Sequence, residues 1–472
     1  MSTFYNIAEK SEESFWIKVD FPFVHDYGKL IHGGQLSYFK SNGEIKEAYF
    51  FLLSSSYLVC ASESGKRKKM SKLKWKTIEP FVESQDKLSR YGFRVRQAGI
   101  FKDFFTSTPE DLDVWIEHLS AVSIFTDINS DFEIKCQIGQ GTFSSVFLAT
   151  DLSDNQTYAV KSISKSKLKT KDEIAAIKNE IKVMRALNHP NIVKLHRVYE
   201  SDSKVELVLD YVEGETLFAR LIRTGPFDEE YSAKFIEKFL SVLNYLELKK
   251  VLHRDIKLEN ILLSSNNSPS DFKLIDFGLS CFAKDGIVHS CGSPGYVAPE
   301  VLKGVPYGNK VDVFSAGVIL YAVLSGRPAF AGRTAQDIFI RNRRCMIVFQ
   351  KDHWKNVSSH AIEFVRRLTE KEPEDRLSSS EALGHEWFLL FNKEKPNDTN
   401  VSAISRLIFQ RNEKRRHRIL LADSEEQKCF VELHRRRGSL PTYIIPDVKR
   451  GIFKDHSHAE LADLRDDRKG SV

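Results

Sequence analysis

What the chain has little of narrows its class first. Its 472 residues include six cysteines, Cys60, Cys136, Cys281, Cys291, Cys345 and Cys429, set far apart with no C-x-x-C pair. That argues against a disulfide framework or a zinc site and fits a reducing, cytoplasmic setting. No stretch approaches the ~18 consecutive apolar residues that a membrane span requires, so no transmembrane segment is expected. The N-terminus, MSTFYNIAEKSEESFW, has no basic region leading into an apolar run, and a secretory signal is not expected. After Phe388 no calcium-binding loop of the form D-x-D-x-D-G occurs. The net charge of +6 is modest for this length and gives no reason to expect a nucleic-acid partner.

The length implies two or three domains. Hydrophobic residues at 42% and charged ones at 28% describe a globular chain. In IGQGTFSSVFLA, residues 138–149, two glycines stand one residue apart, and a G-x-G-x-x-G loop would want a third where Ser144 stands. Ile134, Cys136 and Ile138 before the glycines, and Val146 and Leu148 after them, alternate with period two, which reads as strand, turn, strand. A dinucleotide-binding loop runs from a strand into a helix, so that reading fails. A plain β-hairpin and a phosphate-covering loop both remain open on these residues alone.

YAVKSI, residues 158–163, places Lys161 inside a short strand. Downstream, Ile174, Ile177, Ile181, Met184 and Leu187 recur at three- and four-residue spacing and mark the buried face of a helix. Glu180 falls on that face, where a carboxylate is costly unless paired with a cation. Lys161 is the candidate partner. VLHRDIKLENILL, residues 251–263, then gathers Asp255, Lys257 and Asn260 in one loop: a base, a cation and an amide able to ligate a metal. DFKLIDFGLS ends a short strand on Asp276-Phe277-Gly278, and SCGSPGYVAPE follows at residues 290–300.

In this order and spacing, residues 132–388 resemble the eukaryotic protein-kinase domain, whose signature set is G-x-G-x-x-G-x-V, V-A-I-K, H-R-D, D-F-G and A-P-E. DFGLS, CGSPGYVAPEVL and HEWF look most like the calcium/calmodulin-dependent group. The resemblance implies ATP and Mg2+ as cofactors and protein substrates. It implies that Asp255 orients and deprotonates the target hydroxyl, that Lys257 neutralises the transferring phosphate, and that Asn260 and Asp276 hold the metal. Ile138, Gly139, Gly141, Val146, Ala159, Lys161, Glu180, Leu209, Asp210, Val212 and Glu215 would form the ATP site, with Leu209 as gatekeeper and the backbone of 210–212 facing adenine. KLEN after H-R-D is the serine/threonine pattern. Glu300, Asp312 and Arg376 look like structural anchors of the larger lobe, Phe314 replaces the usual Trp, and Leu258 replaces a common Pro. Glu215 and Glu259 match acids with which basophilic kinases read an upstream arginine. Ser290, beside the activating position (which aligns with His289), is a candidate phosphosite. So is Ser439, in RRRGSLP.

Residues 27–123 read as a separate unit of several strands closed by one helix. Thr108 is its N-cap, Pro109 lies in the first turn and Asp111 completes a capping box; Leu112, Trp115, Ile116, Leu119 and Val122 line one face. This resembles a pleckstrin-homology domain. Lys40 and Lys46 flank its first hairpin, and Lys66, Arg67, Lys68 and Lys69 open the basic run GKRKKMSKLKWK, in which Lys72, Lys74 and Lys76 alternate with Leu73 and Trp75. These residues are candidates for anionic phospholipid. Residues 401–421, a basic amphipathic stretch, are a candidate calmodulin-binding or autoinhibitory segment.

The expected fold class is α+β multidomain: a PH-like β-barrel capped by a helix, then a bilobal kinase with a β-rich N-lobe and a helical C-lobe. The divisions are a lead at 1–26, the PH-like domain at 27–123, a linker at 124–131, the kinase domain at 132–388 and a basic regulatory tail at 389–472. The expected function is a cytoplasmic, peripherally membrane-associated, basophilic serine/threonine kinase controlled by its flanking segments. The alternative is a pseudokinase scaffold recruited to anionic membranes.

Overall fold

A computed structural model describes residues 15–19, 28–40, 42–54, 56–61, 68–85, 88–97, 100–141, 144–264, 268–283 and 287–391. The stretch 401–421, Ser439, Lys66 and Arg67, and the side chain of Lys68, lie outside the described residues. The chain divides into two compact units, residues 1–213 and 214–472.

The first unit is built on one sheet. In chain order its strands are β1 (Ile17–Val19), β2 (Leu30–Phe39), β3 (Ile45–Leu53), β4 (Tyr57–Ala61), β5 (Lys68–Lys72), β6 (Thr77–Gln85), β7 (Leu88–Gln97) and β8 (Ile100–Thr106). After helix α1 (Pro109–Ser120) come β9 (Ile124–Phe125), β10 (Phe132–Gln140), β11 (Ser144–Asp151) and β12 (Thr157–Ser164), then helix α2 (Lys171–Ala186), β13 (Leu195–Glu200) and β14 (Lys204–Asp210). Their order across the sheet is β1-β5-β4-β3-β2-β8-β7-β6-β9-β13-β14-β12-β11-β10. Among the described residues, hydrogen bonding does not close the first eight strands into a barrel. The free edge of β6 pairs instead with β9, in parallel register Thr77↔Ile124 and Ile78↔Phe125.

β9 pairs on its other side with β13, Phe125 opposite Tyr199. Within residues 124–131, expected as a linker, Ile124 and Phe125 form β9 and so belong to the sheet. Ile124, Phe125 and Ile128 are buried. A single apolar cluster runs from Phe50, Phe93, Phe104 and Trp115 through Phe125 and Phe132 to Val160, Tyr199 and Val208.

Helix α1 starts as its sequence dictates: Thr108 Oγ1 accepts the Asp111 N–H at 3.1 Å, and Pro109 supplies the preset φ of the first turn. Leu112, Trp115, Leu119 and Val122 are buried, while Ile116 is half-buried. Helix α2 has a full capping box, Thr170 with Glu173.

In the basic run the expected alternation stops at Lys72. The chain turns there, with Trp75 in the left-handed region at φ 69°. Lys76 is buried, donating to Ser71 Oγ at 2.7 Å and lying 4.4 Å over the Phe15 ring. It is a core cation and not part of a basic outer face.

The second unit is mainly helical. β15 (Gly214–Thr216) leads into α3 (Leu217–Thr224) and α4 (Glu229–Leu248). Short strands β16 (Val251–Leu252), β17 (Ile261–Ser264), β18 (Phe272–Leu274) and β19 (Cys281–Phe282) bracket two loops. Helices α5 (Pro299–Lys303), α6 (Lys310–Ser325), α7 (Ala335–Arg344), α8 (Lys351–Trp354), α9 (Ser359–Leu368) and α10 (Ser379–Leu383) follow. Helix α6 is apolar all round and buried from Val311 to Ser325, as expected of a helix through a core. At Gly317 a Cβ would stand 2.7 Å from Leu368 Cβ, so the missing side chain lets α9 pack close.

Candidate active site

In the first unit the glycine loop joins β10 to β11. Gly139 lies opposite Val146, and the Gly141 N–H bonds Ser144 O at 2.8 Å, closing the turn with a serine where a third glycine was looked for. Val146 in turn lies opposite Lys161 in β12, and Ala159 lies opposite Leu209 in β14. Registered strands thus bring Gly139, Val146, Lys161, Ala159 and Leu209 into neighbouring positions of one sheet. Ala159 is buried, Leu209 half-buried and Ile138 exposed.

Lys161 Nζ stands 2.6 Å from Glu180 Oε1 of α2. Glu180 is buried at 4% exposure, where only a paired charge is tolerable. Asp210 closes its own corner: Oδ2 accepts the Lys194 N–H at 3.1 Å and Oδ1 meets His196 Nε2 at 2.7 Å. Its side chain thus clasps the start of β13.

In the second unit, the loop between β16 and β17 converges on Asp255. Asn260 Nδ2 donates to Asp255 O at 2.8 Å and to Oδ2 at 3.1 Å, and Lys257 Nζ lies 3.1 Å from Oδ2. Ser293 Oγ donates to Asp255 Oδ1 at 2.7 Å and accepts from Lys257 Nζ at 2.9 Å. The sequence reading missed Ser293. A serine inside SCGSPGYVAPE carries no spacing signal, and only the fold brings it to the carboxylate.

The loop is anchored from below. Asp312, buried in α6, accepts the N–H groups of His253 and Arg254 at 2.8 and 2.9 Å. Burial pushes its carboxyl above the ordinary range, against the pull of these two backbone donors. Arg254 and Asp276 both take left-handed backbone, φ 67° and 59°, a conformation disfavoured for such residues. The His253 ring packs edge-on to buried Phe277 at 4.8 Å, seating the segment that follows Asp276. Glu300 and Arg376 pair through two bonds of 2.7 and 3.0 Å, both buried, with the guanidinium 4.9 Å over the Phe314 ring.

Arg254 is already engaged: Nε donates to Leu279 O at 2.7 Å and Nη1 to the Tyr307 hydroxyl at 3.2 Å. The Tyr307 hydroxyl donates to His289 O at 2.6 Å, and Ser290 Oγ donates to Val301 O at 2.8 Å. At Gly292, φ 108°, a Cβ would stand 2.6 Å from Arg254 O, so the loop passes there only without a side chain.

The two candidate specificity acids differ. Glu215 is taken up by its own neighbours, Arg220 Nε at 2.5 Å and Arg223 Nη2 at 2.5 Å. Hydrogen bonding from Arg223 leads in holding its carboxyl below the ordinary range. Glu259 has its Oε2 buried with no hydrogen-bond partner among the described residues.

Asn260 spends its N–H donors on Asp255, which leaves its amide oxygen available, and the Asp276 carboxylate is exposed. One amide oxygen and one carboxylate are the hard donors that Mg2+ prefers, so the residues fit that ion.

Residues 132–388 match the family model of the protein kinase domain. The chain therefore belongs to the protein kinase family, on its serine/threonine branch. It is 35% identical over 276 residues to myosin light chain kinase A of Dictyostelium discoideum, covering 58% of this chain and 93% of that protein. To calcium/calmodulin-dependent protein kinase type 1B of Rattus norvegicus it is 37% identical over 262 residues, 55% of this chain and 76% of the relative. To calcium-dependent protein kinase 8 of Arabidopsis thaliana it is 39% identical over 264 residues, 55% and 49%. The chain spans about half the length of the first curated relatives it matches. No helix among the described residues is long and apolar enough to cross a membrane.

Proposed function

We propose that the chain is an active, ATP-dependent serine/threonine protein kinase. The observation that carries this is the closed network of Asp255, Lys257, Asn260 and Ser293 around one carboxylate. Phosphoryl transfer asks the protein for positioning and charge neutralisation more than for covalent chemistry. Asp255 orients the target hydroxyl and takes up its proton, and Lys257 screens the charge developing on the transferred group. Lys161, steadied by Glu180, binds the nucleotide phosphates, and the amides at Gly139 to Ser144 cover them. Asn260 and Asp276 would hold magnesium, which supplies charge neutralisation at the phosphate oxygens. The pseudokinase alternative is disfavoured because Lys161, Asp255, Asn260 and Asp276 are all present. Phosphate transfer from ATP to a generic serine peptide, lost on Asp276→Ala, is the expected result; equal transfer by wild type and variant overturns the reading.

Preference for arginine upstream of the target rests on Glu259, a half-buried carboxylate in no salt bridge among the described residues. Glu215 contributes less, being neutralised by Arg220 and Arg223. The strand and helix arrangement of residues 28–120, two hairpin runs followed by a helix that buries Trp115, supports a PH-like domain. Of its candidate lipid contacts, Lys40 is paired with Glu44 at 2.9 Å, while Lys46 and Lys69 bear the basic character that an anionic surface would meet. Pelleting with phosphatidylserine vesicles, weakened by Lys46→Glu with Lys69→Glu, tests that association. Calmodulin binding by residues 401–421 is tested by a calcium-dependent pull-down.

A further inference from the structure

Helix α2 carries Glu180, and through it the Lys161 pair, so whatever fixes α2 fixes the nucleotide-binding lysine. One side of the helix faces its own strands. On the other side Lys178, Lys182 and Arg185 recur at four- and three-residue spacing and share one stripe. At roughly 100° per residue, that stripe lies on the side of the helix opposite Glu180.

Two members of the stripe reach the segment that precedes the family domain. Arg185, in the last turn of α2, donates Nη1 to Val122 O at 3.1 Å and Nη2 to Ser123 O. Those carbonyls sit just past the end of α1, where the helix dipole favours a cation. Lys178 Nζ lies 5.8 Å from the Trp75 ring centroid, in a cation–π contact with the left-handed turn between β5 and β6. The turn and the carbonyls are themselves immobilised, since β9 pairs with both β6 and β13 and its residues are buried.

We propose that Arg185 and Lys178 are positioning residues through which the N-terminal strands hold α2, and hence the Lys161–Glu180 pair, in register for ATP. The inference rests on the reading of Lys161 as the nucleotide-phosphate ligand. It makes the described residues that precede β9 part of the ATP-binding apparatus, at one remove, and the seam at Trp75 and Val122–Ser123 a point from which nucleotide affinity can be set. Lys74, half-buried beside Trp75, is held below its ordinary range first by burial and then by the charges of Lys182, Lys72 and Arg185, while Glu200 acts on Lys178 in the opposite sense.

The test is a thermodynamic cycle in the full chain, read as direct binding of ATP with Mg2+ and as the split between KM for ATP and kcat. Arg185→Met keeps the aliphatic stem and removes the donors; it should weaken ATP binding about tenfold, with KM rising more than kcat falls. Arg185→Lys, which retains a donor, should restore part of the loss. In a Glu180→Gln background Arg185→Met should add nothing, because the path it acts through is already cut.

Equal loss with and without Glu180, or unchanged ATP binding in a folded Arg185→Met, overturns the proposal. Should that variant fail to fold, judged by thermal unfolding, Trp75→Leu poses the same question at the second contact and carries the same two outcomes. A Glu180→Gln chain that binds ATP as wild type overturns the reading of the pair itself, and the tether with it.

Discussion

The Ser293 hydroxyl donates to Asp255 Oδ1 at 2.7 Å while accepting from Lys257 at 2.9 Å, so one small side chain sets both charged groups of the transfer site. Ser293→Ala should lower kcat by roughly tenfold to a hundredfold with little change in peptide KM, since the loss is in orientation at the reacting group. Ser293→Thr keeps the hydroxyl and should retain most activity. Steady-state kinetics at saturating ATP check both; an Ala variant with wild-type kcat removes Ser293 from the site.

Arg376 and Glu300 form a buried bidentate pair. Removing one partner leaves an uncompensated buried charge, which costs about 3–5 kcal/mol. Arg376→Met should therefore lower the denaturant midpoint of the second unit strongly. Arg376→Lys, which cannot make two parallel bonds, should fall between. An Arg376→Met midpoint equal to wild type contradicts the assignment.

Tyr307 links Arg254 to His289, and burial leads in pushing its phenol up to about 12 from an ordinary value near 10. A folded pKa above the unfolded one means that the native chain holds the proton longer. The stabilisation is complete below pH 10 and is lost as pH rises through about 12. Tyr307→Phe should be less stable at neutral pH by about 1–3 kcal/mol and should show a shallower decline above pH 10. Unfolding curves from pH 8 upward decide it; parallel pH profiles count against the linkage.

Because Arg254 already has two partners in Leu279 O and the Tyr307 hydroxyl, the loop should be ordered without a phosphate on Ser290. Ser290→Ala is expected to keep its specific activity within about twofold, the loss of one neutral hydrogen bond to Val301 O. A variant with activity lowered by an order of magnitude shows that the hydroxyl or its phosphate is needed.

On a positional peptide array, Glu259→Gln should erase preference for upstream arginine more completely than Glu215→Gln. The first carboxylate is in no salt bridge among the described residues, whereas the second must give up Arg223 before it can bind another guanidinium. The reverse ranking sinks this argument.

What could be read from the chain depended on periodicity and motif. The face of α2 was legible because Ile177, Ile181 and Met184 repeat at helical spacing, and Glu180 among them demanded a cation. Asp255, Lys257, Asn260 and Asp276 were legible because their spacing is dictated by one loop and one strand end. Ser293 was not, because its partner lies 38 residues away and only folding joins them. Glu215 read as a free acid because Arg220 and Arg223 stand five and eight residues on, a spacing with no helical rule across a strand–helix junction. From Lys72 to Lys76 basic residues alternate with Leu73 and Trp75, which implies one basic and one buried face, and a turn at Trp75 breaks that pattern. The two residues of β9 are too few for any periodic signal.

That shortest strand bears on where the molecule can be cut. A fragment beginning at Phe132 would keep the whole family domain yet strip β13 of its neighbour and open a core that holds Phe125 against Tyr199. It would present a bare strand edge beside exposed apolar surface, a template for aggregation. The family domain, residues 132–388, and the compact unit, residues 1–213, are thus offset in this chain, and the β-rich half of the kinase domain should melt together with the strands that precede it.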